Sequence, residues 1–124
     1  MTPNPTTPHE EEAMRVFMRT MSFIRNHNFE GASHYLSDDF EWKTPFSSFH
    51  GKQDWLCNFK LDAKPPTFDE PRIFTSKSGG GYVITRRGTK NVRFLTVDVL
   101  KTAKIDSNLK ISQIVIRRVQ KGMS

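Results

Sequence analysis

The segment from Leu36 to Leu56, LSDDFEWKTPFSSFHGKQDWL, constrains the fold more than any other part of the chain, because it requires two changes of backbone geometry in a short space. Leu36 closes a helical pattern, and Ser37, Asp38 and Asp39 carry side chains that compete for backbone hydrogen bonds, so a helix is expected to stop there. Phe40, Trp42 and Thr44 alternate with Glu41 and Lys43, the period of a half-buried strand, and Pro45 ends it by removing a backbone donor. A new helix is expected from Lys52 to Lys60, with Trp55, Leu56 and Phe59 at helical spacing.

Upstream, Met14, Phe17, Met18, Met21 and Ile24 mark one face of an amphipathic helix from Glu10, and Phe29 to Leu36 read as a second, short helix. Residues 1–9, rich in Pro and Thr, read as a disordered tail ahead of a single domain spanning 10–124. Downstream, four strands are expected at about 67–76, 82–87, 92–103 and 110–119, with Pro71 interrupting the first or placing it at an edge. The short connectors Gly79-Gly80-Gly81, Gly88 to Asn91 and Lys104 to Asn108 suit antiparallel hairpins. The expected class is therefore α+β: three N-terminal helices with one inserted strand, followed by a mainly antiparallel four-strand meander.

Charge and cysteine content narrow the functional classes. The formal charge of +6 favours anionic partners. The basic residues, Arg86, Arg87, Lys90, Arg93, Lys101, Lys104, Lys110, Arg117, Arg118 and Lys121 among them, concentrate in the β-rich half and read first as a solvated strand face. The clusters Arg86-Arg87-Gly88-Thr89-Lys90 and Arg117-Arg118 lack adjacent aromatic residues that would stack on bases, so nucleic acid is not the expected partner. The single Cys57 excludes an internal disulfide and reads as core filler; with no apolar spanning segment, a cytoplasmic protein is expected. His9, His27 and His34 read as solvent-facing. No metal-ligand spacing is present, and Gly79-Gly80-Gly81 lacks the Lys-Ser/Thr of a phosphate loop, so no metal or cofactor is expected.

The order of elements, with Phe29-Glu30-Gly31-Ala32 leading to Tyr35-Leu36, then Asp38-Asp39-Phe40-Glu41-Trp42, Pro45, Phe49-His50-Gly51-Lys52 and Val97-Asp98-Val99-Leu100, resembles the NTF2-like superfamily in its SnoaL-like branch over about residues 10 to 120. That resemblance implies a cone with an apolar pocket, frequent dimerisation through the outer sheet face, and functions from isomerase, cyclase and dehydratase chemistry to non-catalytic binding. In proteins similar to ketosteroid isomerase, a carboxylate precedes the proline that ends the first strand; here that position is Thr44, which cannot act as a base near neutral pH. The first-helix Tyr donor of that enzyme is matched by Phe17, which has no hydroxyl. Asp98 matches the strand acid that faces the pocket.

Asp98 also stands out on its own, because a carboxylate between Val97 and Val99 is costly to bury unless it is hydrogen-bonded, paired or protonated. An Asp bonded to a backbone amide or to a neighbouring Arg is the structural alternative. Asp98 and the loop residue His50 are the candidate acid/base groups. Arg86 and Arg118 are candidate anion holders, with Trp42, Thr44, Tyr82, Phe94 and Ile116 as ligand-binding walls. The expected ligand is a small hydrophobic molecule carrying a carbonyl or acid group. The chain is either a cofactor-independent enzyme acting on it or a non-catalytic dimeric module that presents its basic surface to an acidic partner.

Overall fold

The computed structural model describes residues 7–76 and 80–119. Helix α1 spans Pro8–Arg25. It begins two residues earlier than the apolar periodicity suggests, because Thr7 accepts a hydrogen bond from the Glu10 amide at 3.1 Å and Pro8 occupies the first turn, where its missing N–H costs nothing. Residues 7–9 are thus the cap and start of this helix and no part of a tail; residues 1–6 lie outside the described residues. Its buried face runs through Ala13, Val16, Phe17, Thr20, Met21 and Ile24, turned from the expected stripe so that Met18 is exposed. Helix α2 is Phe29–Ser33, capped by Asn28, and α3 is Lys52–Asn58. Gly51, at φ +93°, starts α3 with a backbone conformation that disfavours any other residue. Cys57 is exposed on α3 and fills no core.

The strands are β1 (Leu36–Lys43), β2 (Ser48–His50), β3 (Thr67–Phe68), β4 (Arg72–Thr75), β5 (Tyr82–Val92), β6 (Leu95–Ile105) and β7 (Ile111–Val119). The sheet order is β2-β1-β7-β6-β5-β3, with β4 also pairing β5. Among the described residues, only β1 and β7 run parallel. Register shifts in β1 and in β6 at Lys104/Ile105 bend the sheet around the helices. Leu36 belongs to β1, opposite Ile111, and ends no helix. As expected, Pro71 separates two short edge strands, β3 and β4.

The long hairpin corrects the turn expected at Gly88 to Asn91. Strand β5 continues through these residues, and the chain reverses at Arg93-Phe94, between the paired Val92 and Leu95. Gly88 serves close approach here: a Cβ on it would collide with the Thr67 carbonyl and the Phe68 ring, so its hydrogen is what lets β3 pair this closely with β5. The turn expected at Gly79-Gly80-Gly81 falls partly outside the described residues; β4 and β5 flank it as an antiparallel pair. The core joins α1 to the inner sheet face through Phe17, Phe40, Ile84, Ile111 and Ile114, with Trp55 of α3 wedged among Phe29, Phe40 and Phe59. No helix among the described residues is long and apolar enough to cross a membrane.

Candidate functional site

Strand pairing sets which side chains meet inside the curve. Deep in the cone, Ile84, Ala103 and Ile114 sit opposite one another on β5, β6 and β7, with Trp42 of β1 beside Ile114. The next row toward the mouth is Arg86, Lys101 and Ile116, and the row after that is Gly88, Val99 and Arg118. The closed end is therefore apolar and the open end cationic. Between these rows, the end of α1 and the linker after α3 lies a cavity of about 360 Å³. That volume is at the lower end of the range for small-molecule sites. Met21 and Ile24 of α1, Trp42, Phe59, Phe68 and Val99 are among the residues of its apolar wall.

Arg25, Lys60, Arg86, Lys90, Lys101 and Arg118 reach this cavity against one carboxylate, Asp62. Asp62 is already committed, because Lys90 bonds to it and to the Lys64 carbonyl at 2.8 Å. The Lys90 hydrogen bond, helped by the Lys64 amide, holds the Asp62 carboxyl below its usual range. Arg86 donates from Nε to the Asp69 carbonyl at 2.8 Å, which leaves its terminal nitrogens for the cavity. Desolvation, and then the charge of Arg25, lower its pKa.

Lys101 is the one buried charged side chain among the described residues. It is only 7% exposed, and its Nζ lies 3.4 Å from Met21 Sδ and 4.3 Å from the centre of the Phe68 ring. Among the described residues, none of the ion pairs involves it. Burial first, then repulsion from Arg86 and Arg25, lower its pKa to about 7. The sequence carries a signal for it: Val97, Val99, Lys101, Ala103 and Ile105 form a period-2 apolar run interrupted by one lysine. The opposite parity, centred on Asp98, obscured it.

That parity places the expected acid outside. Asp98 is exposed on the convex face between Thr89 and Val119, away from Arg86 and Arg118, so neither the burial nor the partners expected of it are present. His50 lies on β2, two-thirds exposed, with Nδ1 2.7 Å from Glu41 Oε2, and does not reach the cavity. Its backbone N–H donates to Asp54 Oδ2 at 3.0 Å. Phe94 projects into solvent at the hairpin tip. Tyr82 is buried at the other end of β5, where its hydroxyl meets His9 Nδ1 at 2.5 Å. Trp42, Thr44, Arg86, Ile116 and Arg118 do line the cavity. Thr44 Oγ1 accepts from the Phe46 and Ser47 amides at 3.2 and 3.0 Å, so this hydroxyl holds the loop that closes one wall. No cluster of three metal-ligating side chains occurs among the described residues.

No family model matches the sequence, and no curated protein matches it at a significant level. Solved structures do match. An NTF2-like protein of unknown function from Pseudomonas putida superposes at a TM-score of 0.65 and 13% identity, over 92% of this chain and 89% of its own. ActVI-ORFA from Streptomyces coelicolor does so at 0.60 and 14%, over 90% of this chain and 98% of its own. The canthaxanthin-binding orange carotenoid protein of Anabaena matches at 0.65 and 13%, over 82% of this chain and 34% of its own length. Three helices on an open, curved, mainly antiparallel sheet, matched at this level to these structures, give the chain the NTF2-like fold.

Proposed function

We propose that the protein binds a small molecule with an apolar body and an acid or carbonyl oxygen in this cone, and that two copies pair through the convex sheet face. The observation that carries the binding reading is the mismatch of charge in the cavity: several cations converge on a largely apolar space whose one carboxylate is bonded to Lys90. Cations gathered in a partly desolvated site repel one another and are stabilised by an anion that bridges them. Arg86 and Arg118 are assigned to the polar head. Trp42, Phe59, Ile116 and the methyl of Thr44 are assigned to the apolar body. The carotenoid-binding neighbour and the SnoaL-like resemblance are consistent with an apolar ligand, and no cofactor is required for holding one.

The catalytic part of the expectation changes character. A carboxylate-based isomerase needs a free acid or base beside the ligand, and neither Asp98 nor His50 reaches the cavity. This geometry favours the non-catalytic alternative as far as carboxylates and histidines are concerned, and among the titratable groups that line the cavity Lys101 is the buried one.

Two fluorescent probes of similar size test the binding reading: an anilinonaphthalene sulfonate and the neutral phenylnaphthylamine. Both are expected to bind one per chain. The double variant Arg86→Met/Arg118→Met is expected to weaken the sulfonate about tenfold or more, the loss of charge-assisted contacts of about 1.5–3 kcal/mol, while the neutral probe changes little. Absence of stoichiometric binding by either probe would refute it.

A further inference from the structure

We propose that Lys101 is a nucleophile that condenses with an aldehyde or ketone held in the cone to form a Schiff base. The inference rests on the binding reading above and goes beyond it by assigning a covalent chemistry and a substrate class.

Three independent features of the site point to it. First, position: Lys101 sits in the centre of the cavity wall, on a regular strand, with Arg86 and Ile116 as its cross-strand neighbours. Its Cα is fixed by ladders on both sides, so the amine is delivered from rigid backbone. Second, surroundings: the amine faces a thioether and an aromatic ring, and among the described residues no carboxylate pairs with it to hold it as an ammonium. A structural lysine in a sheet of this kind reaches solvent with its charged end or pairs with an acid, and this one does neither. Third, the charges near it, Arg86 and Arg25, are both positive, so they disfavour the ammonium and favour the free amine. At neutral pH roughly a thousandfold more of this side chain is unprotonated than of an ordinary lysine.

The chemistry balances with the groups present. The Nζ lone pair attacks the carbonyl carbon, and one of the amine protons passes to the carbonyl oxygen to give a carbinolamine. The nitrogen lone pair then expels that oxygen, which leaves with the second amine proton as water. The net reaction is amine plus carbonyl giving imine plus water, with no oxidant or reductant. Arg86, with its terminal nitrogens uncommitted, is placed beside Lys101 to stabilise the negative charge that develops on the carbonyl oxygen. The apolar wall of Met21, Phe68 and Val99 limits the water that would hydrolyse the imine. Once protonated, the imine withdraws electrons from the adjacent carbon. Carbonyl isomerisation or carbon–carbon bond chemistry thereby becomes accessible in a cone that has no free carboxylate.

Reductive trapping tests this with the full chain. The protein is incubated with 6-methoxy-2-naphthaldehyde and sodium cyanoborohydride from pH 5.5 to 9, and adducts are located by peptide mass spectrometry. The expected result is one adduct per chain at Lys101, forming at least tenfold faster than at any of the other nine lysines, with a half-maximal rate near pH 7. Arg86→Met, by removing a positive neighbour, should move that midpoint to higher pH. The exposed variant Asp98→Asn should label like the parent. Labelling spread evenly over surface lysines, or a parent unlabelled at Lys101 while phenylnaphthylamine binds one per chain, would overturn the Schiff-base inference and leave the binding reading standing. Failure of phenylnaphthylamine to bind at all would remove both.

Discussion

At the scale of single residues, the outcome turns on one step of strand parity. Val97, Asp98, Val99, Leu100 and Lys101 are apolar enough on both alternations that the sequence does not say which face is inner. The bend of the sheet around α1 decides, and it turns Val97, Val99 and Lys101 inward. On β5 and β7 the same question stood open, because Arg86-Arg87 and Arg117-Arg118 each place one guanidinium on either face; strand pairing puts Arg86, Ile116 and Arg118 on the cavity side. The cost of placing Lys101 inward is measurable. Its folded-state pKa of about 7 is below the ordinary lysine value of 10.5, so between those values the unfolded chain holds a proton that the folded chain releases. Stability contributed by this residue therefore rises with pH across that window, by up to ~1.4 kcal/mol per unit, and the penalty is fully present below pH 7. Lys101→Met is expected to stabilise the fold by ~1–4 kcal/mol at pH 7, with the gap closing toward pH 10. Urea melts across this range provide the measurement; parallel curves for parent and variant would contradict a buried, unpaired Lys101.

At the scale of elements, α1, the part of β1 from Phe40 and α3 follow from periodicity and one proline, all local signals, whereas Leu36 to Asp39 read as a helix end and are the first half of β1. The β5–β6 hairpin does not. Gly88-Thr89-Lys90-Asn91 reads as a turn because glycine and asparagine are turn formers, yet the turn lies at Arg93-Phe94. What Gly88 answers to is a long-range contact, the pairing of β3 against it, and no local reading supplies that. Gly88→Ala is expected to cost about 1–3 kcal/mol, since the new methyl meets the backbone of Thr67 and the Phe68 ring together. The same variant should disturb the cavity, because Phe68 is the ring against Lys101. Denaturant midpoints and probe affinity measured on one preparation check both; an unchanged midpoint would mean that β3 is not held as described.

At the scale of the whole molecule, the sheet has two faces of different character. The inner face closes over the core and the cavity. The outer face carries half-buried Val83, Leu100 and Val115 and the exposed Phe74, with Thr85 and Thr102 among them and Arg87, Lys104 and Arg117 around them. Two such faces packed together would bury this apolar surface while the long basic side chains turn outward to solvent. Light scattering at tens of micromolar is expected to give a dimer, and Leu100→Glu/Val115→Glu a monomer that still binds phenylnaphthylamine. A monomeric parent would contradict pairing through this face.

The central claim is that the cone receives an amphipathic molecule head-outward, with its acid between Arg86 and Arg118 and its tail against the apolar wall. A crystal structure of the protein grown with decanoate tests that most directly. One decanoate per chain is expected, its carboxylate within hydrogen-bonding distance of at least one of the two guanidinium groups and its chain extending past Ile116 toward Trp42 and Phe59. Decanoate bound only outside the cone, or a cone closed by its own side chains with no ligand in it, would contradict it.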